Sequence, residues 1–127
     1  MMNFKELKTK VEEWAEDKDL LHSENAEKQF MKFIEEVFEF KTEMDIWKLY
    51  KQFKRDENVE QDFSIEEVER WKNLKLEMGD IFVTLVVLCN QLGIDCVECL
   101  QLAYDKISKR KGVTKDGIFI KEEDLYD

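Results

Sequence analysis

The stretch Phe30-Met-Lys-Phe-Ile-Glu-Glu-Val-Phe-Glu-Phe40 places apolar residues at positions 30, 33, 34, 37 and 40. That spacing marks one face of an α-helix. The stripe continues through Met44 and Trp47 towards Phe53, and Ser23 is the expected N-cap of a long helix starting at Glu24. Downstream, Ser64 with Glu67 forms an S-x-x-E capping box, which predicts a third helix from Ile65 to about Leu92. From Ile81 to Cys89 this helix is apolar all round, as a central core helix is. The polar stretch Arg55 to Phe63 between the two long helices predicts that they fold back antiparallel.

Outward from this pair, Phe4, Leu7, Val11 and Trp14 form a helical stripe over about Asn3 to Asp17, with a connection from Asp17 to Ser23. Gly93 closes the third helix, and Asp95 with Glu98 caps a fourth that runs to about Lys109. After Gly112 the period breaks. Lys115-Asp116-Gly117 is a turn signal, and Ile118-Phe119-Ile120 reads as a short strand or an extended arm. The expected fold is all-α: a bundle of four main helices with a long antiparallel central hairpin and a short extended C-terminal segment. The 127 residues are expected to form one domain, 1–127, with 41–76 as a lengthened hairpin inside it.

Composition agrees with helix, since proline is absent and only four glycines occur. A net charge of -10 argues against a general affinity for nucleic acid. The run Ile81 to Cys89 is too short to cross a bilayer, and Met-Met-Asn-Phe-Lys at the start lacks the apolar stretch of a secretory signal. Three cysteines, an odd number, fit a reducing compartment, so a cytoplasmic protein without a membrane partner is expected. Cys96 and Cys99 form a lone CxxC far from His22, which favours small buried thiols over a zinc site. His22 itself reads as an exposed or capping residue.

Two acidic pairs stand out: Glu36 with Glu39, flanked by Glu35, and Glu77 with Asp80. Residues three apart share a helix face, and here Phe33, Ile34, Val37, Leu76, Ile81 and Phe82 lie around them. Carboxylates in apolar surroundings cost desolvation energy unless a cation compensates them. Oxygen ligands of this kind suit Mg²⁺. Fourteen residues separate Glu39 from Phe53 and twelve separate Ile65 from Glu77, roughly 21 and 18 Å of helix. Arms of nearly equal length allow Glu36/Glu39 to face Glu77/Asp80. The alternative is that these are ordinary surface acids, because thirty acidic residues produce the same spacing at Glu24/Glu27, Glu57/Glu60 and Glu66/Glu69. A di-iron centre fits poorly, as neither pair carries an E-x-x-H histidine.

A second signal is a local reversal of charge: Lys106, Lys109, Arg110, Lys111, Lys115 and Lys121 face only Asp116. Basic residues favour helix C-termini through the dipole. They also form clamps for polyphosphate. Both readings stand.

Taken in order, Gln29-x-x-Lys32-x-x-Glu35-Glu36-x-x-Glu39, Glu77-x-Gly79-Asp80, Lys106-x-x-x-Arg110-Lys111-Gly112 and Gly117-Ile118-Phe119-Ile120-Lys121 resemble the MazG-like all-α NTP pyrophosphohydrolases. The likeness is to the small single-domain form found in phages and prophages, and it extends to Trp14-Ala15-Glu16-Asp17 and Leu92-Gly93-Ile94-Asp95. The resemblance implies hydrolysis of a nucleoside triphosphate to monophosphate and pyrophosphate. It implies Mg²⁺ (or Mn²⁺) on Glu36, Glu39, Glu77 and Asp80, with Glu35 to orient or deprotonate water. Lys32, Lys106, Arg110 and Lys121 would neutralise the β- and γ-phosphates. Trp14, ahead of Trp47 and Trp71, would wall the base. The family implies a homodimer or homotetramer, and for a phage-encoded chain the bacterial host cytosol; on the lengthened hairpin Ile46, Leu49, Tyr50 and Phe53, at i, i+3, i+4 and i+7, offer an extra interface. One departure is plain: 37 residues lie between Glu39 and Glu77, more than the family usually has. The rival readings are a non-catalytic acidic interaction protein and a phosphoribosyl-ATP pyrophosphohydrolase.

Overall fold

A computed structural model describes residues 1–56 and 65–125. Four α-helices and one two-stranded sheet make up the described chain, and they fall into two compact units, Met1–Gly93 and Ile94–Asp127. The fold is the all-α bundle expected.

In the first unit, α1 spans Phe4–Asp17, α2 Ala26–Asp56 and α3 Ile65–Leu92. Asn3 caps α1, its Oδ1 accepting from the Glu6 amide at 2.8 Å. After α1 the chain turns through Asp19 at φ 59, and Gln91 on α3 holds the turn by donating to the Leu20 carbonyl at 2.7 Å. Asn90 donates to Glu12 at 2.8 Å, a second tie between α3 and α1.

Entry into α2 differs from the expectation. Ser23 does not cap it; a 3₁₀ turn covers Ser23–Asn25 and no side chain caps that turn. The Asn25 amide donates to His22 O at 3.0 Å, closing a three-residue turn with Ser23 inside it. The other proposed cap, Ser64, lies outside the described residues, as does 57–64 of the predicted connection. Helix α2 continues through Arg55 and Asp56.

Helices α2 and α3 pack antiparallel. Gln29 reaches the Thr84 carbonyl at 3.3 Å, the Trp47 and Trp71 rings stand 5.1 Å apart, and Lys51 meets Glu67 at 2.7 Å. Each step forward along α2 is thus matched by a step back along α3. Ala15, Val86 and Val87 are buried, and this is a small apolar core. Several stripe residues expected inside are open to solvent, among them Phe30 at 49%, Phe53 at 61% and Leu76 at 57% exposure. Within the first unit and among its described residues, α1 packs on this hairpin against α3, and α1 is half as long as α3.

In the second unit, α4 spans Cys96–Ile107. Asp95 Oδ1 caps it by accepting from the Val97 and Glu98 amides at 2.8 and 3.3 Å. The helix ends two residues before the expected Lys109. The segment left open as strand or arm is a strand. Gly112–Lys115 (β1) pairs antiparallel with Ile118–Lys121 (β2) in the register Val113↔Ile120 and Thr114↔Phe119. Asp116 and Gly117 both have positive φ, 52° and 77°, the requirement of a type I′ hairpin turn. None of the three cysteines forms a disulfide.

Candidate metal centre

The α2–α3 pairing brings Glu36, Glu39 and Glu77 together. One carboxylate oxygen from each lies within 4.8 Å of the others. Glu36 is buried, Glu77 half-buried and Glu39 exposed, so the group opens outward from the hairpin. Lys32, one turn before Glu36, places its Nζ 3.1 Å from Glu36 Oε1 and 3.6 Å from Glu35 Oε2. This single cation leaves much of the site unsatisfied. Oε2 of Glu36 and Oε2 of Glu77 are both buried without a hydrogen-bond partner, and such groups are rare in folded proteins unless something else binds them.

The electrostatics agree. The Glu39 carboxyl is raised above the ordinary 4.5, first by the hydrogen bond that its protonated form can donate to Glu36 and then by the charges of Glu36 and Glu77. Burial raises Glu77 first, followed by the charges of Asp80, Glu36 and Glu43. The Lys32 ammonium is raised by its hydrogen bond to Glu36 and the charge of Glu35. Like charges held this close destabilise one another, and a hard divalent cation relieves that repulsion with oxygen ligands. The donor set fits such a cation.

Asp80 does not join the three-oxygen group. It stands one turn past Glu77 and lines a cleft of about 390 Å³ with Trp14, Gln29, Lys32, Glu36 and Thr84. Trp14 is 48% exposed there. Glu35 is exposed and engaged by Lys32. In the second unit, Arg110 and Lys121 line a separate cleft of about 480 Å³ with Lys109, Lys111, Glu122 and Glu123; Lys106 is not among its walls. Two participants carried no role in the sequence reading. Gln29 ties the cleft wall to α3, and Glu43 adds its charge to Glu77. Glu43 follows Glu36 and Glu39 at i+7 and i+4, a helical repeat that pointed to it.

A family profile, the MazG nucleotide pyrophosphohydrolase domain, matches residues 10–113. The chain belongs to the MazG family. No curated protein and no solved structure matches it. The MazG match takes in every carboxylate of the cluster, Lys32, Trp14 and Arg110, and stops before Lys121. Membership carries nucleotide pyrophosphohydrolase activity, a nucleotide substrate and a metal requirement as family properties, and the acidic cluster is compatible with that requirement. Among the described residues, no single helix is long and apolar enough to cross a membrane.

Proposed function

We propose that this MazG domain hydrolyses (deoxy)nucleoside triphosphates to monophosphate and pyrophosphate, with Mg²⁺ held by Glu36, Glu39, Glu77 and Asp80. The observation that carries this reading is the pair of buried, partnerless oxygens on Glu36 and Glu77 inside a cluster of three carboxylates. When bound, the ion supplies positive charge to the phosphate oxygens and polarises the α-phosphorus towards water. Glu35, beside the ligands, orients that water or takes its proton. Lys32 is already positioned on Glu36 and shifts its charge towards the phosphates as they enter. Lys106, Arg110 and Lys121 neutralise the outer phosphates, and Trp14 walls the base in the cleft that it shares with Asp80.

Residues 1–127 act as one MazG-like domain, with 41–76 as a lengthened hairpin, in the cytoplasm as a homodimer or homotetramer. Leu49 at 70% and Phe53 at 61% exposure support an interface on that hairpin. The test compares Glu39→Gln with Glu69→Gln, following pyrophosphate release from a dNTP panel with and without Mg²⁺. Loss in the first variant alone is expected. Equal Mg²⁺-dependent release by both would sink the proposal.

A further inference from the structure

A cleft of about 550 Å³ lies away from the carboxylates on the lengthened part of the hairpin, and Trp47, Glu67, Val68, Trp71, Lys72 and Lys75 line it. It has the volume of a small-molecule site. Helical geometry separates it from the metal centre. Lys75 is two residues from Glu77, which turns it about 200° around α3, to the opposite side. Along α2, Trp47 lies eight residues beyond Glu39, roughly 12 Å of helix.

The chemistry of the walls is specific. The two indoles meet at 44°, with centroids 5.1 Å apart, so they touch without stacking fully. Trp71 keeps 47% of its surface exposed. Lys51 sits over the Trp47 ring at 5.2 Å. The acid in the wall, Glu67, is already neutralised by Lys51 at 2.7 Å and Lys54 at 3.4 Å, so it adds little net repulsion for an anion. Lys72 and Lys75 have no ion pair among the described residues, although the chain carries a net charge of -10. Two free ammonium groups beside an open aromatic face suit a flat ring that bears an anionic group. The ring gains stacking on the indole, and the phosphate gains charge-assisted hydrogen bonds from the lysines.

We propose that this cleft is a second nucleotide-binding site: the base stacks on Trp71 and Trp47, and Lys72 and Lys75 hold the phosphate. The occupant is a free nucleotide, since the net charge of the protein disfavours a polyanionic strand. Leu49 and Phe53 leave α2 about 200° and 240° around the helix from Trp47, whereas Tyr50 stands beside it, ring centroids 6.1 Å apart, so a subunit contact centred on Leu49 and Phe53 borders the cleft through Tyr50 without lying on Trp71, Lys72 or Lys75.

The test uses adenosine monophosphate, which has no pyrophosphate to lose, in EDTA. Carrying Trp14→Phe and Glu39→Gln, the protein keeps only Trp47 and Trp71 as tryptophans, excited selectively at about 295 nm, beyond tyrosine absorption, and has a disabled metal centre. Saturable quenching of tryptophan fluorescence is expected. Adding Lys72→Ala and Lys75→Ala, exposed helical positions where alanine keeps the fold, weakens the apparent Kd by about tenfold or more and flattens its salt dependence. No saturable quenching, or the same Kd without both lysines, overturns the proposal. So does shielding of both tryptophans from acrylamide in an oligomer, which would show a second copy filling the cleft. Quenching that persists in Glu39→Gln while pyrophosphate release is lost keeps this site and the catalytic one distinguishable.

Discussion

Glu36 presents one carboxylate oxygen to Lys32 at 3.1 Å and leaves the other buried without a partner. An ionised group so placed costs folding energy that only a further cation offsets. Replacing it with glutamine removes a charge from a repulsive cluster while keeping the shape. In Glu36→Gln the metal-free melting temperature should hold or rise, the further rise on adding Mg²⁺ should vanish, and pyrophosphate release should fall by about two to three orders of magnitude. Thermal melts with and without Mg²⁺, together with a pyrophosphate assay, check all three. A drop in metal-free stability with an intact Mg²⁺ response would place the ion elsewhere. The sequence made Glu36 and Glu39 legible by spacing. It did not say that Glu77 would stand nearer the α2 oxygens than Asp80, which lines the cleft beside Glu36, because that depends on how far α3 is rotated in the packed pair.

The helical hairpin is held at its far end by Glu67, which lies between Lys51 and Lys54. Lys51 lowers the Glu67 carboxyl below the ordinary 4.5 through its hydrogen bond, against the opposing effect of burial. A lowered carboxyl contributes stability that is present above its unfolded value and lost as pH falls through its folded one. Glu67→Gln should therefore melt earlier than the parent at about pH 7, and the gap should close as pH drops below the ordinary carboxylate range. Paired melting curves across pH measure this; a gap that is constant with pH would assign the loss to packing. Glu67 entered the sequence reading only as half of a capping box with Ser64. Its interhelical role was hidden because Lys51 is sixteen residues away and meets it only once the helices fold back.

On the scale of the molecule, the described chain exposes more apolar side chains than it buries, with Phe38 at 66%, Leu49 at 70% and Leu100 and Leu102 at 63%. Large apolar side chains left open in such number favour an interaction surface. Sedimentation should give a mass above the 15.3 kDa of one chain, and Leu49→Lys with Phe53→Lys should lower it. A monomer at micromolar concentration with both residues intact would refute self-association. The stripe Phe30 to Phe53 was readable as apolar from its period, but the period does not say whether a helix of the same chain or another copy covers it.

By itself the sequence determined what is local. Helical period, the Asn3 and Asp95 positions at helix starts, the Asp116-Gly117 turn and the acidic pairs all follow from interactions within a few residues of chain. The tertiary structure alone decided which oxygens converge. Glu36, Glu39 and Glu77 come within 4.8 Å because the register of α2 on α3 is set by distant partners such as Gln29 with Thr84 and Trp47 with Trp71. The same register opened the aromatic cleft on the opposite side of α3. Spacing along a chain fixes the face of a helix, whereas the meeting of two faces depends on packing summed over the whole hairpin.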